Sequence, residues 1–298
     1  MTPMRVYVTG GGRGFVGAHV VRALRAAGHE VRDEWVDVRE LDALAHTIDG
    51  CEAVCHVAAL YSYVAPASEL EAVNVRGTAN VLEACRRAGI SRIVHTSTCG
   101  TCGPVAGRAA TEDDRPPAWE LAVPYKRTKL EGERLALAAG AVCVNPTTPV
   151  GDGDVTPTPT GAMVRGVATG RYRVALRSTG LNLVDVRDVA RGHVLALERG
   201  RPGERYLLGG VNLTLAEAFA AIARLAGRRP PLCSLPFAGA RALAAVRLAN
   251  AQEVELARLP AWFSSAKAER ELGYRPGPVE PALARAVTEA LALRNSDG

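Results

Sequence analysis

Apolar runs of strand length alternate with stretches of helical periodicity through the first half of the chain. Val6-Tyr7-Val8 leads into a segment with Val16, Val20 and Leu24 at i, i+4 and i+8, which predicts a helix that Gly28 stops. Ala53 to Val57 reads as the next clear strand, followed by a long helix over about 69–88 closed by Gly89. Arg92 to His95 reads as a strand, about 124–139 as a helix ended by Gly140, and Ala141 to Val144 as another strand. Strand and helix in this rhythm build a parallel sheet with helices on both faces, so the pattern predicts an α/β, doubly wound fold. Glu30 to Val38, EVRDEWVDV, is too short for two parallel strands and the crossover between them. One extended strand is expected there, and an edge strand of the sheet is expected to be missing.

The second half is less regular. PTPTG (Pro157 to Gly161) marks a loop, ERYLLGG (Glu204 to Gly210) a strand, and the segments near 214–226 and 236–259 read as helical. The expected organisation is a sheet domain over 1–155, rejoined by a strand near 205–208, and a smaller lobe over 156–298. Leu232, Leu235, Phe237, Trp262 and Phe263, with Pro230, Pro231 and Pro236 shaping the loops, offer a lid over a hydrophobic substrate, although a plain core explains most of them.

Composition narrows the class. At 298 residues and 48% hydrophobic the chain can bury a substantial core. The net charge of +5 comes from arginines scattered among Ala and Leu, not gathered into a run, so no nucleic-acid partner is expected. No start resembling a signal peptide and no long uninterrupted apolar stretch is present, and a cytoplasmic protein without a membrane partner is expected. The seven cysteines then read as reduced thiols. Cys99 and Cys102 form a C-x-x-C with no second pair at zinc spacing, so no metal is expected.

VTGGGRGFVG (Val8 to Gly17) follows a strand and opens a helix, the context in which glycines bring backbone N–H groups and a helix N-terminus to a pyrophosphate. Two registers coexist: Gly12-Arg13-Gly14-Phe15-Val16-Gly17 is G-x-G-x-x-G, while Gly11, Gly14 and Gly17 recur by threes. Either predicts dinucleotide binding on a Rossmann fold. Asp33 and Asp37 are candidate ribose acceptors; Arg13 and Arg32 are candidate partners of a 2′-phosphate.

PYKRTK places Tyr125 and Lys129 at i and i+4, on one helix face, where an ammonium can favour ionisation of a phenol. Lys126, Lys129 and Lys267 are the only lysines among 36 basic residues, and Arg is no substitute for a compact ammonium. With the glycine loop, HVAA (His56 to Ala59), NVRGTANVLEAC (Asn74 to Cys85), VHTST (Val94 to Thr98), Tyr125-x-x-x-Lys129 and VNPTTPVG (Val144 to Gly151), the chain resembles the extended short-chain dehydrogenase/reductase family over essentially its whole length. PTPTG, GLNLVDVRDVARGHVLALERG, GERYLLGGVNLTL and FSSAKAERELGYRP look most like the hopanoid-associated sugar epimerase and dihydroflavonol-reductase-like group.

The resemblance implies that Thr98 holds the substrate oxygen, Tyr125 protonates it, Lys129 binds the nicotinamide ribose and lowers the Tyr pKa, and Asn74 supports a proton relay. It implies a cofactor site of Gly10, Gly12, Arg13, Gly14, Phe15, Val16, Arg32, Asp37, Val38, Ala58, Ala59, Thr96, Asn145, Pro146 and Thr148 beside Tyr125 and Lys129. The loop departs from the usual T-G-x-x-G-x-x-G by one residue after Thr9-Gly10, which favours NADP(H) over NAD(H). His56 is expected to cap a strand end near the cofactor and His95 to be structural. A homodimer through the helices near 69–88 and 124–139 is expected.

Two chemistries share the Thr-Tyr-Lys triad. Reduction passes hydride from NAD(P)H to a ketone of a bulky hydrophobic molecule, polyketide-like or flavonoid-like, in secondary metabolism. Epimerisation by an NAD-dependent nucleotide-sugar epimerase takes hydride from a sugar and returns it to the opposite face. Reduction is the expected activity; epimerisation, or a non-catalytic dinucleotide-binding sensor, are the alternatives. A 4,6-dehydratase is disfavoured because Cys99-Gly100, not Asp-Glu, follows Thr98.

Overall fold

The computed structural model describes residues 2–177, 179–230, 233–245 and 251–296. Six parallel strands form the central sheet: β1 (Arg5–Val8), β2 (Glu30–Arg32), β3 (Ala53–His56), β4 (Arg92–Thr96), β5 (Val142–Pro146) and β9 (Arg205–Leu208), in the order β2-β1-β3-β4-β5-β9. The inner strands are apolar on both sides because helices cover both faces. Val6 and Val8 pack on one face against Val20 and Leu24 of α1 (Phe15–Ala26) and Val189 of α7 (Val186–Arg199). Tyr7, between them, points to the other face, where Leu44 of α2 (Leu41–Thr47), Val81 of α4 (Gly77–Arg87) and Ala136 of α5 (Pro124–Ala138) close the core. A short helix, α3 (Ala67–Glu71), enters α4 through a π-helical turn, Ala72–Arg76.

Beyond β5 the chain builds further layers. β6 (Thr148–Val150), β8 (Gly180–Asp185) and β10 (Val211–Thr214) form a sheet in the order β10-β8-β6, antiparallel between β10 and β8. β7 (Val174–Leu176) pairs with β11 (Cys233–Leu235). α6 (Pro159–Ala168), α8 (Leu215–Leu225) and α12 (Glu280–Ser296) enclose a core that includes Val164, Phe219, Ile222 and Leu283. α9 (Phe237–Ala245), α10 (Ala251–Leu256) and α11 (Ala266–Leu272) complete the described helices. No described helix is long and apolar enough to cross a membrane.

One sequence expectation needs correction. The segment 30–38 is not one extended strand: pairing stops at Arg32, because the chain turns back across the glycine loop. The Tyr7 hydroxyl donates to the Glu34 carbonyl at 3.1 Å, and a Cβ on Gly11 would lie 2.4 Å from the Asp33 carbonyl oxygen. Among the described residues no strand lies outside β2, so the sheet ends one strand early, as the short spacing predicts. Of the apolar residues offered for a lid, Trp262 and Phe263 belong to the core, the reading that explains most of them. Phe263 is 3% exposed among Cys102, Ala110 and Leu207, and the Trp262 indole N–H donates to the Leu213 carbonyl at 3.2 Å. Pro231 and Leu232 lie outside the described residues, as do 246–250 within the expected helix 236–259.

Candidate active site

The carboxyl ends of β1, β3, β4 and β5 open into a cleft of about 610 Å³. Its first wall is the glycine loop. Gly14 is the N-cap of α1 and offers no side-chain capping bond, so the first N–H groups of the helix are free to meet an anion. A Cβ added to Gly14 would meet nothing within 4 Å, whereas one on Gly17 would fall 3.1 Å from the Gly11 carbonyl oxygen. Gly11 itself has φ +56. The glycines that the packing requires are therefore Gly11 and Gly17, while Gly14 faces open space. Gly12, at φ −74, is not among the cleft residues.

Buried hydrogen bonds lock this wall to the next strand. The Thr9 hydroxyl accepts the N–H groups of Val57 and Ala58, each at 3.0 Å, and lies 2.9 Å from His56 Nδ1. The other imidazole nitrogen is 3.0 Å from Thr78 Oγ1, which donates to the Asn74 carbonyl. Burial, aided by Lys129, pushes the His56 pKa down to about 3 and holds His95, whose ring lies 5.1 Å away, well below its usual range. Both imidazoles are neutral spacers behind the cleft.

Tyr125 and Lys129 project from α5, whose first turn is preorganised by Pro124. Both are buried, and the Lys129 ammonium donates to the Thr96 carbonyl at 2.8 Å. Burial lowers the Lys129 pKa to about 8 against the opposing pull of Glu133. Burial, with Tyr61 and Cys99, raises the Tyr125 phenol well above its usual range, against a smaller lowering effect of the Thr98 side chain. The phenol stays protonated, a competent acid. At the same end, the Tyr61 ring lies 4.7 Å and the Tyr63 ring 5.8 Å from Tyr125. A buried Glu120–Lys126 pair at 2.8 Å backs this cluster, its ammonium lying across the bare Cα of Gly100.

The cleft brings together Gly10, Arg13, Gly14, Phe15, Val16, Asp37, Val38, Ala58, Ala59, Thr96, Thr98, Tyr125, Lys129 and Pro146. Four other expected residues do not line it. Arg32 donates to the carbonyls of Thr47 and Asp49, drawn away by α2's exposed C-terminal end. Asn145 is fully buried in bonds to Glu133, Thr101 and the Thr98 carbonyl. Thr148 stands in the β6–β8 ladder opposite Leu183. Asn74 clamps both backbone groups of Leu60 and donates to Thr128 Oγ1, and a Cβ on Gly132 would be 2.5 Å from its carbonyl. It braces the π-helical turn against α5, and no bond joins it to Lys129. Trp35, Arg39, Tyr61, Thr158 and Thr160 line the cleft without having been anticipated. For Tyr61 a signal existed: LYSY sets two tyrosines directly after HVAA in a chain with 5% aromatics.

The residues present fit a dinucleotide: a cradle that Cβ atoms would fill, an uncapped helix N-terminus and a buried ammonium at the far end. Fold and site together define the class of nicotinamide-dinucleotide-dependent enzymes. The chain belongs to the NAD dependent epimerase/dehydratase family, whose model matches residues 6–209. It is 35% identical to the putative dihydroflavonol 4-reductase of Synechocystis sp., over 94% of this chain and 93% of that one. It is 30% identical to a 4-hydroxy-2-methyl-3-oxo-4-farnesyl-3,4-dihydroquinoline-1-oxide ketoreductase of Stigmatella aurantiaca, over 91% of this chain and 92% of that one. The crystal structure of a nucleoside-diphosphate-sugar epimerase from Pseudomonas aeruginosa superposes with a TM-score of 0.82 at 25% identity, covering 99% of both chains.

Proposed function

We propose that the protein is an NAD(P)H-dependent ketoreductase acting on a bulky, hydrophobic ketone, with Thr98, Tyr125 and Lys129 as its working residues. One observation carries this: Thr98, Tyr125 and Lys129 line the same cleft as the glycine loop, with the Tyr61 and Tyr63 rings packed against Tyr125. The nicotinamide, when bound, supplies the hydride. Thr98 orients the ketone oxygen, Tyr125 gives its proton to that oxygen, and Lys129 holds the ribose side of the site. The ring cluster suits a flat or alicyclic face, and the ketoreductase name of the Stigmatella relative agrees with it.

The test is turnover of NADPH and NADH, followed at 340 nm, against a panel of bulky ketones. Consumption of reductant supports the reading; tightly retained NAD with interconversion of sugar epimers and no net consumption would replace it. In the free enzyme, kcat/KM should fall on the alkaline side with a midpoint near the Lys129 pKa of about 8, because the neutral amine cannot donate as an ammonium does. A profile flat to pH 10 would remove Lys129 from the binding role.

NADP(H) remains the proposed preference. Asp37 is held below its usual range by the Arg39 guanidinium, which grips it at 2.9 and 3.0 Å. Arg13, 5.6 Å from the Trp35 ring, lines the rim of the cleft and forms no ion pair among the described residues, so its guanidinium is free to meet a phosphate. Arg13→Ala should therefore weaken NADPH by about tenfold, the worth of one charged contact, and leave NADH nearly unchanged. Fluorescence titration with each nucleotide reads this directly; equal losses would mean that Arg13 does not distinguish them.

A further inference from the structure

We infer that Glu133 is a positioning residue of this site: with Asn145 and Arg205 it fixes the main chain of Thr98 and the turn that follows against α5. This rests on the reductase reading above. Glu133 stands four residues beyond Lys129, one helical turn along the same face, and is 1% exposed. A carboxylate so deeply buried is tolerated only when its oxygens are bonded. Oε2 accepts from Thr101 Oγ1 at 2.7 Å and from Asn145 Nδ2 at 2.5 Å; Oε1 accepts from Arg205 Nη1 at 2.9 Å.

These partners converge on one atom. The Thr98 carbonyl oxygen receives Asn145 Nδ2 at 3.1 Å and stands 2.9 Å from Thr101 Oγ1. Thr98 is thus held from behind by its carbonyl while it lines the cleft together with Tyr125 in front. Arg205 extends the frame, donating to the Thr101 carbonyl at 3.3 Å and through Nε to the Glu112 carbonyl at 2.8 Å. It comes from β9, so the turn after Thr98 is pinned only when that late strand docks beside β5. An apolar cluster of the same volume would serve stability as well or better. What charged, directional bonds add is a fixed angle for Thr98 relative to the helix that carries Tyr125 and Lys129.

The same carboxylate faces the Lys129 ammonium. From β5 comes Cys143, whose thiol burial pushes far up; from β3 and β4 come His56 and His95, both held neutral. The π-helical turn and α4 meet α5 through Asn74 and Thr78, which do not titrate here. Glu133 is the negative charge acting on that ammonium.

Glu133→Gln should lower kcat about tenfold or more while the KM for the ketone changes little, since the angle of Thr98 governs the reacting geometry more than the bulk of the substrate. Its alkaline limb should move about one unit to lower pH, because the ammonium loses its supporting charge. Glu133→Gln leaves Arg205 buried without its partner and can fail to fold, so the pair E133Q/R205M removes both charges; its melting temperature should recover while both kinetic defects persist. Thr101→Val, which keeps the ion pair, should lower kcat several-fold without moving the limb. A folded E133Q/R205M with wild-type kcat and limb, or a Thr101→Val indistinguishable from wild type, overturns the inference. Failure of the reductase reading shows differently, as a wild type with no turnover. NADPH affinity measured against pH then still reports whether Glu133→Gln shifts the Lys129 titration, and an unmoved profile overturns the inference on its own.

Discussion

Tyr125→Phe is expected to lower kcat by a factor of about 10² to 10⁴, the range spanned by one positioned proton donor, while NADPH binds as before. The substitution removes a single oxygen. The ring stays packed against Tyr61 and Tyr63, so no cavity opens. Only a hydroxyl at the cleft is lost, and the melting temperature should fall by only a few degrees. Single-turnover hydride transfer under saturating NADPH separates chemistry from binding. Wild-type rates in this variant would require another acid, and the Glu120–Lys126 pair behind the tyrosine cluster would be the first place to look.

The sheet was legible because its strands are short apolar runs punctuated by left-handed glycines: Gly28, Gly89 and Gly140 each close a helix at positive φ. α7 was passed over although the sequence carries its signals: Asp185 caps it by accepting from the Arg187 N–H, and Arg187, Arg191 and Arg199 mark an exposed face opposite nine buried residues of its fourteen. α2 escaped for want of a buried face, with one fully buried residue in seven. Lid and core were not separable in the sequence, because an aromatic side chain looks the same whether it faces a ligand or, like Phe263, stands in a β-bridge with Ala110. Among site residues, Tyr125, Lys129 and Thr98 could be placed because helical spacing and strand ends fix where side chains point. Asn145 could not. The reach of a side chain behind a strand depends on what fills that space, here the carboxylate of Glu133 and the guanidinium of Arg205, 60 residues later.

The glycine loop posed two registers, and their difference predicts the other large effect. Gly11→Val should cost about 100-fold or more in NADPH affinity, whereas Gly12→Ala should cost little. At Gly11 the backbone is left-handed, which penalises an L side chain by about 1–2 kcal/mol. Worse, the new Cβ would lie 2.4 Å from the Asp33 carbonyl oxygen, a backbone atom that cannot swing aside. Either the segment carrying Trp35, Asp37 and Arg39 must move out or the loop must move in, and both displace groups that line the cleft. A shift of about 1 Å in a positioned site is enough for a loss of this size. Gly12 has ordinary helical-side φ and only the Asp33 carboxylate near its virtual Cβ, at 3.5 Å. Isothermal titration of both variants with NADPH, beside circular dichroism to show that α1 persists, decides the matter. Equal, small losses would mean that the loop adapts and that the nucleotide reads the G-x-G-x-x-G register through Gly12 instead.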